Sequence, residues 1–258
     1  MQTLYINGAA RIGAAFEAAE AIAPGQLEEP DYTRYIPKRQ LRRLDRASKF
    51  ALHTTYAALE RAGCETVDGV VLGVGQTISE TVDGMLRKLI SHREEQTNPT
   101  SFMNSLLSTA AGQIALKLSC SGYTNTHTQR GFTVEAALLD ASLQLHGNTG
   151  ANFIVGGVGE IHPSYNGLAG NYGHIGAMLS AGVDGPVGEG AAIFVVSGKP
   201  NPTTKACLKE VYTVYLTDET ARTSSSRELQ DLLFTDALPE VNLVISGRPA
   251  GSEAQGIY

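Results

Sequence analysis

Cysteine is scarce in this sequence, and its few cysteines form no recognisable pattern. The three in the 258-residue chain are Cys64, Cys120 and Cys207, an odd number at wide spacing. A small secreted domain held by disulfides has an even set of cysteines, and a zinc site shows paired Cys-x-x-Cys motifs. We therefore expect a protein of a reducing compartment, the cytoplasm, without a metal site.

Positive charge and long apolar runs are also scarce. The net charge of −6 argues against nucleic-acid binding, which normally requires a basic excess. No segment approaches the roughly 20 apolar residues that a membrane helix needs. The N-terminal residues lack the basic segment followed by a continuous apolar core that a secretory leader has. The sequence thus predicts an ordinary globular protein that neither binds nucleic acid nor inserts into a membrane.

Helical and strand patterns alternate along the first half of the chain, which favours a layered α/β fold. Apolar or small residues recur at helical spacing from Leu41 to a glycine helix end at Gly63. Residues 67–77 are rich in β-branched residues and predict a strand, followed by a helix with Ser79 as its N-cap. Residues 101–118 predict one further long helix.

The second half continues the alternation. Threonines at every second position from Thr124 to Thr128 predict a strand, and a helix ending at Gly147 follows. An apolar run at 151–162 predicts a buried strand. Two later strands, at 188–198 and 207–218, are close enough in sequence to pair antiparallel with each other. The prediction is completed by a loop at 163–189, a helix at 225–240 and a strand at 241–247.

Five motifs follow one another in a specific order and spacing. They are IPKRQLRRLDRASKFALHTTYAALERAG, DGVVLGVGQTISET, STAAGQIALKLSCSGYTNT, GGVGE and GEGAAIFVVSG. Together they resemble the β-ketoacyl synthase family, which has the thiolase fold, and the resemblance covers nearly the whole chain. It implies one thiolase-like α/β/α domain over residues 1–258, with the N-terminal half largely present and the C-terminal half truncated or absent.

The residues at the family's catalytic positions differ from what catalysis requires. The resemblance places Gln129, in THTQRG, where the family has its nucleophilic cysteine, and glutamine cannot form a thioester. The position of the acid–base histidine falls near Ser246 and Gly247. The resemblance therefore implies an acyltransferase homologue without catalytic residues or cofactor, closest to the chain-length-factor subunits that pair with active ketosynthases.

The resemblance also implies partners. Such a subunit forms a dimer, with an active β-ketoacyl-ACP synthase or with itself, and shapes the tunnel that holds a growing fatty-acyl, polyketide or polyene chain on an acyl carrier protein. The family's subunits meet through the strand before the catalytic turn, and the uncharged TNTHTQ suits such pairing. The predicted interface or tunnel residues are Thr126, His127, Thr128, Phe102, Met103 and Phe132.

A basic run precedes the first predicted long helix. It consists of Lys38, Arg39, Arg42, Arg43 and Arg46. Complementary charge would allow this run to dock an acidic carrier protein. A solvated helix face explains the same residues, because most charge runs are only that.

Two alternative functions stay open. Glutamine-for-cysteine ketosynthases can resemble loading decarboxylases, which release carbon dioxide from a malonyl group on the carrier protein, although the histidines that would stabilise the enolate have no counterpart here. The other alternative is a homo-oligomeric binding or scaffold module with no acyl chemistry. A dinucleotide site at LGVGQTI is disfavoured because Ile78 occupies the third glycine position.

Overall fold

A six-stranded mixed sheet runs through the residues that the computed structural model describes, which are 2–13, 27–75, 80–95, 98–129, 132–160 and 189–211. Its strands are β1 (Leu4–Gly13), β2 (Gly69–Val74), β3 (Tyr123–His127), β4 (Asn152–Gly159), β5 (Gly190–Ser197) and β6 (Ala206–Leu208). The strand order is β3-β2-β4-β5-β1-β6. β3, β2 and β4 are parallel, and each of the remaining pairs is antiparallel.

Helices cover both faces of this sheet. They are α1 (Lys38–Leu41), α2 (Arg46–Ala62), α3 (Glu80–Ser91), α4 (Pro99–Asn104), α5 (Thr109–Lys117) and α6 (Thr133–Gly147), with a 3₁₀ turn at Tyr32–Arg34. Helices α2 and α5 pack on the face that Val70 and Leu72 share. Helix α6 packs on the opposite face, onto Val71 and Phe153. This is the predicted α/β/α layering, which follows because neighbouring strand residues point to opposite faces.

Helix α2 confirms the predicted glycine helix end and corrects the predicted start. Gly63 adopts the left-handed conformation, at φ of 60°, that favours glycine after a last helical turn. The helical stripe does not begin at Leu41, which ends the separate short helix α1. Asp45 starts α2 instead, because its carboxylate Oδ2 accepts the backbone N–H of Ser48 at 3.2 Å.

The predicted long helix at 101–118 is wrong, because the structure divides it into α4 and α5. The hydroxyl of Ser105 donates to the carbonyl of Phe102 at 2.7 Å, and the hydroxyl of Thr109 donates to the carbonyl of Met103. Side-chain hydroxyls that donate to backbone carbonyls in this way compete with the backbone hydrogen bonds of a helix. A turn follows α5, with Ser119 in the left-handed region at φ of 53°.

Within the described residues, the two strands predicted to pair with each other do not pair, and residues 212–218 of the second lie outside those residues. β1 lies between β5 and β6 and pairs antiparallel with both. β1 was not predicted from the sequence, because Gly8 interrupts its apolar alternation. A Cβ on Gly8 would lie 2.4 Å from the carbonyl oxygen of Ala58 in α2, so glycine is required for the helix to pack on this strand.

Several predictions lie outside the described residues. They are Ser79, most of the loop at 163–189, the helix at 225–240, the strand at 241–247, Ser246 and Gly247. The single domain over 1–258 stays a prediction for the same reason. Within the described ranges, no helix combines the length and apolar character that crossing a bilayer requires.

We predict that Gly73→Ala destabilises the protein by about 1–3 kcal/mol, because overpacking a tight contact forces the backbone to shift. A Cβ on Gly73 would lie 2.8 Å from Cγ2 and from the carbonyl oxygen of Thr133 at the start of α6. Urea unfolding measures the loss. Gly84→Ala in α3 is the matched control, since no atom lies within 4 Å of its added Cβ. Equal unfolding midpoints for the two variants would show that the α6 contact is not tight.

Candidate functional site at the carboxyl ends of the parallel strands

The three parallel strands end at one edge of the sheet and bring distant residues together. Gln129 follows β3, Gly75 follows β2 and Glu160 follows β4. Parallel strands in register present their carboxyl ends side by side, and ligands of α/β proteins commonly bind there. This edge is therefore the candidate functional site.

Gln129 lies in the predicted turn from strand to helix. Its side chain is exposed, its backbone N–H donates to Oγ1 of Thr133 at 3.2 Å, and its carbonyl accepts the N–H of Phe132 at 3.1 Å. Phe132 begins α6 without a side-chain cap. The first turn of a helix favours negative charge, so this is a suitable place to stabilise an oxyanion.

Two glycines set the position of this helix start. Gly73 faces Thr133, and a Cβ on Gly157 would lie 2.6 Å from Cγ2 of Val134. Side chains on β2 and β4 would thus displace the first turn of α6. Gly73 of LGVG therefore serves the packing of α6 on the sheet, which agrees with the prediction that this segment is not a dinucleotide site.

His127 belongs to a polar cluster that the sequence did not reveal. Its Nε2 lies 2.9 Å from Oδ2 of Asp140 in α6, and Asn125 donates to the same oxygen at 2.9 Å. The hydroxyl of Tyr123 lies 3.1 Å from both carboxylate oxygens. The odd-numbered residues of β3 thus face α6, in agreement with the predicted alternation. No sequence pattern pairs Asp140 with His127, because Asp140 lies in α6 and His127 lies in β3.

Hydrogen bonding controls the charge of Asp140. Partial burial acts to raise the pKa of this carboxyl, but hydrogen bonds, that of His127 first, outweigh it and hold the pKa below its ordinary value. The same cluster raises the pKa of Tyr123, through burial and then through its bond to Asp140. Asp140 is therefore ionised at neutral pH and ties α6 to β3.

Of the threonines predicted at an interface, Thr126 lies on the edge strand β3 and Thr128 follows its end, and both are half-buried. Thr124, on the same strand, is exposed. Within the described ranges β3 pairs only with β2, so no strand of those ranges covers its outer edge. An uncovered edge is able to accept a strand from another chain.

The apolar residues predicted for a tunnel wall are mostly exposed. Phe102 and Met103 in α4 are 55% and 58% exposed, and Leu106 and Leu107 in the next turn are 42% and 44% exposed. Phe132 is half-buried. Four neighbouring exposed apolar side chains form a surface that suits a contact with a protein or an acyl chain.

The basic run divides into two parts. Lys38, Arg39, Arg42 and Arg43 are exposed. Arg46 instead bridges Glu29, at 2.6 Å, and the buried Glu189, and its guanidinium lies 4.8 Å from the ring centre of Phe50.

The exposed basic residues lie beside the apolar surface. The side chain of Asn104, in α4, donates to the carbonyl of Arg43 at 3.0 Å. This bond holds the turn after α1 against the helix that carries Phe102 and Met103. The basic and apolar surfaces are therefore neighbours.

The cysteines are free and lie away from the turn. Cys120 precedes β3, at the opposite end of that strand from Gln129, and packs at the margin of the core. Burial raises the pKa of Cys64, whose thiol donates to the carbonyl of Thr66. In the part of the chain that the structure describes, no three His, Cys, Asp or Glu residues come together as a metal site.

Comparison with known families decides the classification. The profile described as "Beta-ketoacyl synthase, N-terminal domain" matches residues 14–199. The chain belongs to the β-ketoacyl synthase family. The match covers more than half of the chain and includes the carboxyl edge with Gln129 and Glu160, so the resemblance seen in the sequence is confirmed.

Solved structures show the same fold in ketosynthase-like proteins. A chain of the ishigamide ketosynthase/chain length factor shares 20% identity at a TM-score of 0.57, with 76% of this chain and 62% of that chain covered. A chain of the ketosynthase ApeO with its chain length factor ApeC, from Xenorhabdus doucetiae, shares 18% identity at a TM-score of 0.55. The match covers 76% of this chain and 79% of that chain. A chain of AntDE:AntF, a type II acyl carrier protein with its ketosynthase, shares 15% identity at a TM-score of 0.60. The match covers 76% of this chain and 63% of that chain.

These likenesses confirm the predicted thiolase-like fold. At such identities they show the fold alone, and this member of the family spans about three fifths of the length of the first structure. No protein with a curated function matches its sequence.

We predict that Asp140→Asn lowers the free energy of unfolding by about 1–3 kcal/mol at pH 7, because hydrogen bonds to a charged group are lost. Since the folded pKa lies below its ordinary value of 3.8, this stabilisation is complete above that pH and is lost as the pH falls through the folded pKa. Urea unfolding at pH 7 and pH 3 measures the difference. Glu65→Gln, an exposed carboxyl, is the control, and an Asp140→Asn deficit that persists unchanged in acid would contradict the prediction.

Proposed function

We propose that this family member is a catalytically silent, chain-length-factor-type subunit that pairs with an active β-ketoacyl-ACP synthase. The observation that carries the proposal is the position of Gln129 in the turn between β3 and α6, where the family resemblance expects the nucleophilic cysteine. Acyl transfer requires a thiolate that attacks a thioester carbonyl and expels the carrier thiol. An uncharged amide at this position can donate hydrogen bonds but cannot accept the acyl group.

The edge strand supports pairing with a second subunit. β3 lies at the margin of the sheet, and its residues are tyrosine, threonine, asparagine and histidine, with no carboxylate, lysine or arginine among them. Asp140 in α6 holds that histidine at 2.9 Å. A partner strand would extend the sheet across the dimer through backbone hydrogen bonds. Two of the structurally similar proteins are named as ketosynthases with chain length factors, which agrees with this assembly.

The apolar surface beside the site supports a role in shaping an acyl tunnel. Phe102, Met103, Leu106 and Leu107 are exposed and lie together, and a group of exposed apolar side chains commonly marks a contact surface. In a dimer they would face either the partner or the acyl chain, which is fatty-acyl, polyketide or polyene. Bulky side chains at these positions would then limit the chain length of the product.

The basic surface supports carrier-protein docking beside that tunnel. Lys38, Arg39, Arg42 and Arg43 are exposed next to α4, whereas the charge of Arg46 is neutralised by Glu29 and Glu189. The similar AntDE:AntF structure contains an acyl carrier protein with its ketosynthase. We assign docking to the four exposed residues, with Arg46 as a support of the surface.

We predict that the wild-type protein co-elutes with an active β-ketoacyl-ACP synthase of the same organism in gel filtration with light scattering. Thr124→Lys should release the two subunits, because a lysine on an edge strand opposes pairing with another strand. Thr66→Lys, at an exposed loop position, is the matched control and should leave the complex intact. Separate elution of the wild-type proteins, or an unchanged complex with Thr124→Lys, would contradict pairing through β3.

The silent role is tested by chemistry on the same proteins. Incubation with an acyl thioester should leave the intact mass of this subunit unchanged while the ketosynthase subunit gains the acyl group. The subunit alone should release carbon dioxide from malonyl-carrier protein only at the background rate. An acyl adduct within residues 123–133 would refute catalytic silence, and a rate of decarboxylation above background would favour the loading decarboxylase.

We predict that the double change Arg42→Glu and Arg43→Glu slows association with an acyl carrier protein about tenfold at low salt, because the steering charge is reversed. Surface plasmon resonance at several salt concentrations measures the rate. The double change Lys199→Glu and Lys205→Glu alters net charge equally on exposed residues elsewhere and is the control. If both double variants slow association equally, the slower rate is caused by net charge and not by the loss of a docking surface.

A further inference from the structure

A small cavity lies at the carboxyl ends of β2 and β4, beside the candidate site. Its volume is about 40 Å³. The lining residues used below are Asp45, Val74, Gly75, Asn104, Leu107 and Glu160. The start of α2 and the turn between α4 and α5 therefore close over two strand ends.

Two buried carboxylates line this cavity. Asp45 is 9% exposed and Glu160 is 3% exposed. One oxygen of each is occupied, since Oδ2 of Asp45 accepts the N–H of Ser48 at 3.2 Å and Oε1 of Glu160 accepts the N–H of Glu80 at 3.1 Å. The second oxygen of each, Oδ1 of Asp45 and Oε2 of Glu160, is buried and has no hydrogen-bond partner among the described residues. Buried carboxylate oxygens in this state are costly unless a proton or cation compensates them.

The charges of the described residues nearby do not compensate them. Among these residues the cation that acts on Glu160 is Arg46, while Asp45 and Glu80 act as like charges. The guanidinium of Arg46 is already bonded to Glu29 and Glu189. In this part of the chain carboxylates therefore outnumber cations around the cavity, and burial raises the pKa of Glu160.

We propose that this cavity binds a small divalent cation, Mg²⁺ by its charge and size, through Oδ1 of Asp45 and Oε2 of Glu160. Two free carboxylate oxygens match two positive charges, and hard cations prefer oxygen ligands. Mg²⁺ usually keeps several waters and is bound through only one or two carboxylates, often together with phosphate oxygens, so a third acidic side chain is not required. About 10–15 Å³ accommodates one water, which leaves room here for the ion and a few oxygen ligands.

The ion would have a structural effect on the candidate site. It would join the start of α2 to the end of β4, on the sheet edge that also carries Gln129. It would be bound equally in an active or a silent ketosynthase-like subunit, so the proposal does not depend on the proposed function. A ligand that binds only the folded protein raises its melting temperature.

Calorimetric melting of chelator-treated protein tests this proposal. At constant ionic strength, replacing tetramethylammonium chloride with a few millimolar MgCl₂ should raise the melting temperature by about 2–4 °C. Glu160→Gln and Asp45→Asn should each abolish the rise, because each loses one charged ligand while Asn still caps α2. Glu95→Gln, an exposed carboxyl, should retain the full rise. Circular dichroism of both cavity variants confirms that they are folded.

Three results would overturn the proposal. The first is a wild-type melting temperature that is the same in Mg²⁺ and in tetramethylammonium. The second is a full Mg²⁺ effect in folded Glu160→Gln, which would place the ion elsewhere. The third is an equal rise with millimolar NaCl or KCl, which would exclude a divalent site. Isothermal titration that yields one Mg²⁺ per wild-type chain and none for Glu160→Gln would support it.

Discussion

The close contact between the first turn of α6 and two glycines of the sheet determines where the rest of the site lies. Gly73 on β2 faces Thr133, and Gly157 on β4 faces Val134, at distances that leave no space for a Cβ. The helix therefore begins directly over the strand ends, and the turn that carries Gln129 is held at the sheet edge. In an active ketosynthase this geometry would direct backbone N–H groups at a reacting carbonyl. In this chain it presents an amide instead.

Charged groups bring the remaining segments to the same edge. Arg46 joins the residues before α1 and the start of β5 to α2 through Glu29 and Glu189. Asp140 joins α6 to β3 through His127, Asn125 and Tyr123. The Arg46–Glu189 pair and the His127–Asp140 contact are largely buried, where the removal of one partner is costly. Surface charges such as Arg42 and Arg43 are free of that role and available to a partner.

Family membership and catalytic capacity are separate properties of this protein. The family match and the structural likenesses establish a ketosynthase-like fold. Whether that fold catalyses acyl transfer depends on the residues at the turn, and Gln129 lacks the chemistry of a nucleophile. The outer edge of β3, which no strand of the described residues covers, and the exposed apolar surface of α4 agree with the proposed pairing with a second subunit.

The sequence by itself determined the local elements, and its resemblance to the family predicted that Gln129 stands at the nucleophile position. Helix α2 with its glycine end, strands β2, β3 and β4, and the turn at Gln129 follow from side-chain periodicity and backbone preference, which act between near neighbours in the chain. Only the tertiary structure decided that β1 separates β5 from β6, that α4 and α5 are distinct, and that Asp140 reaches His127. It also separated Arg46 from the exposed arginines and placed Asp45 beside Glu160. These outcomes depend on contacts between residues far apart in sequence, whose strength is set by burial and close packing that no local pattern records.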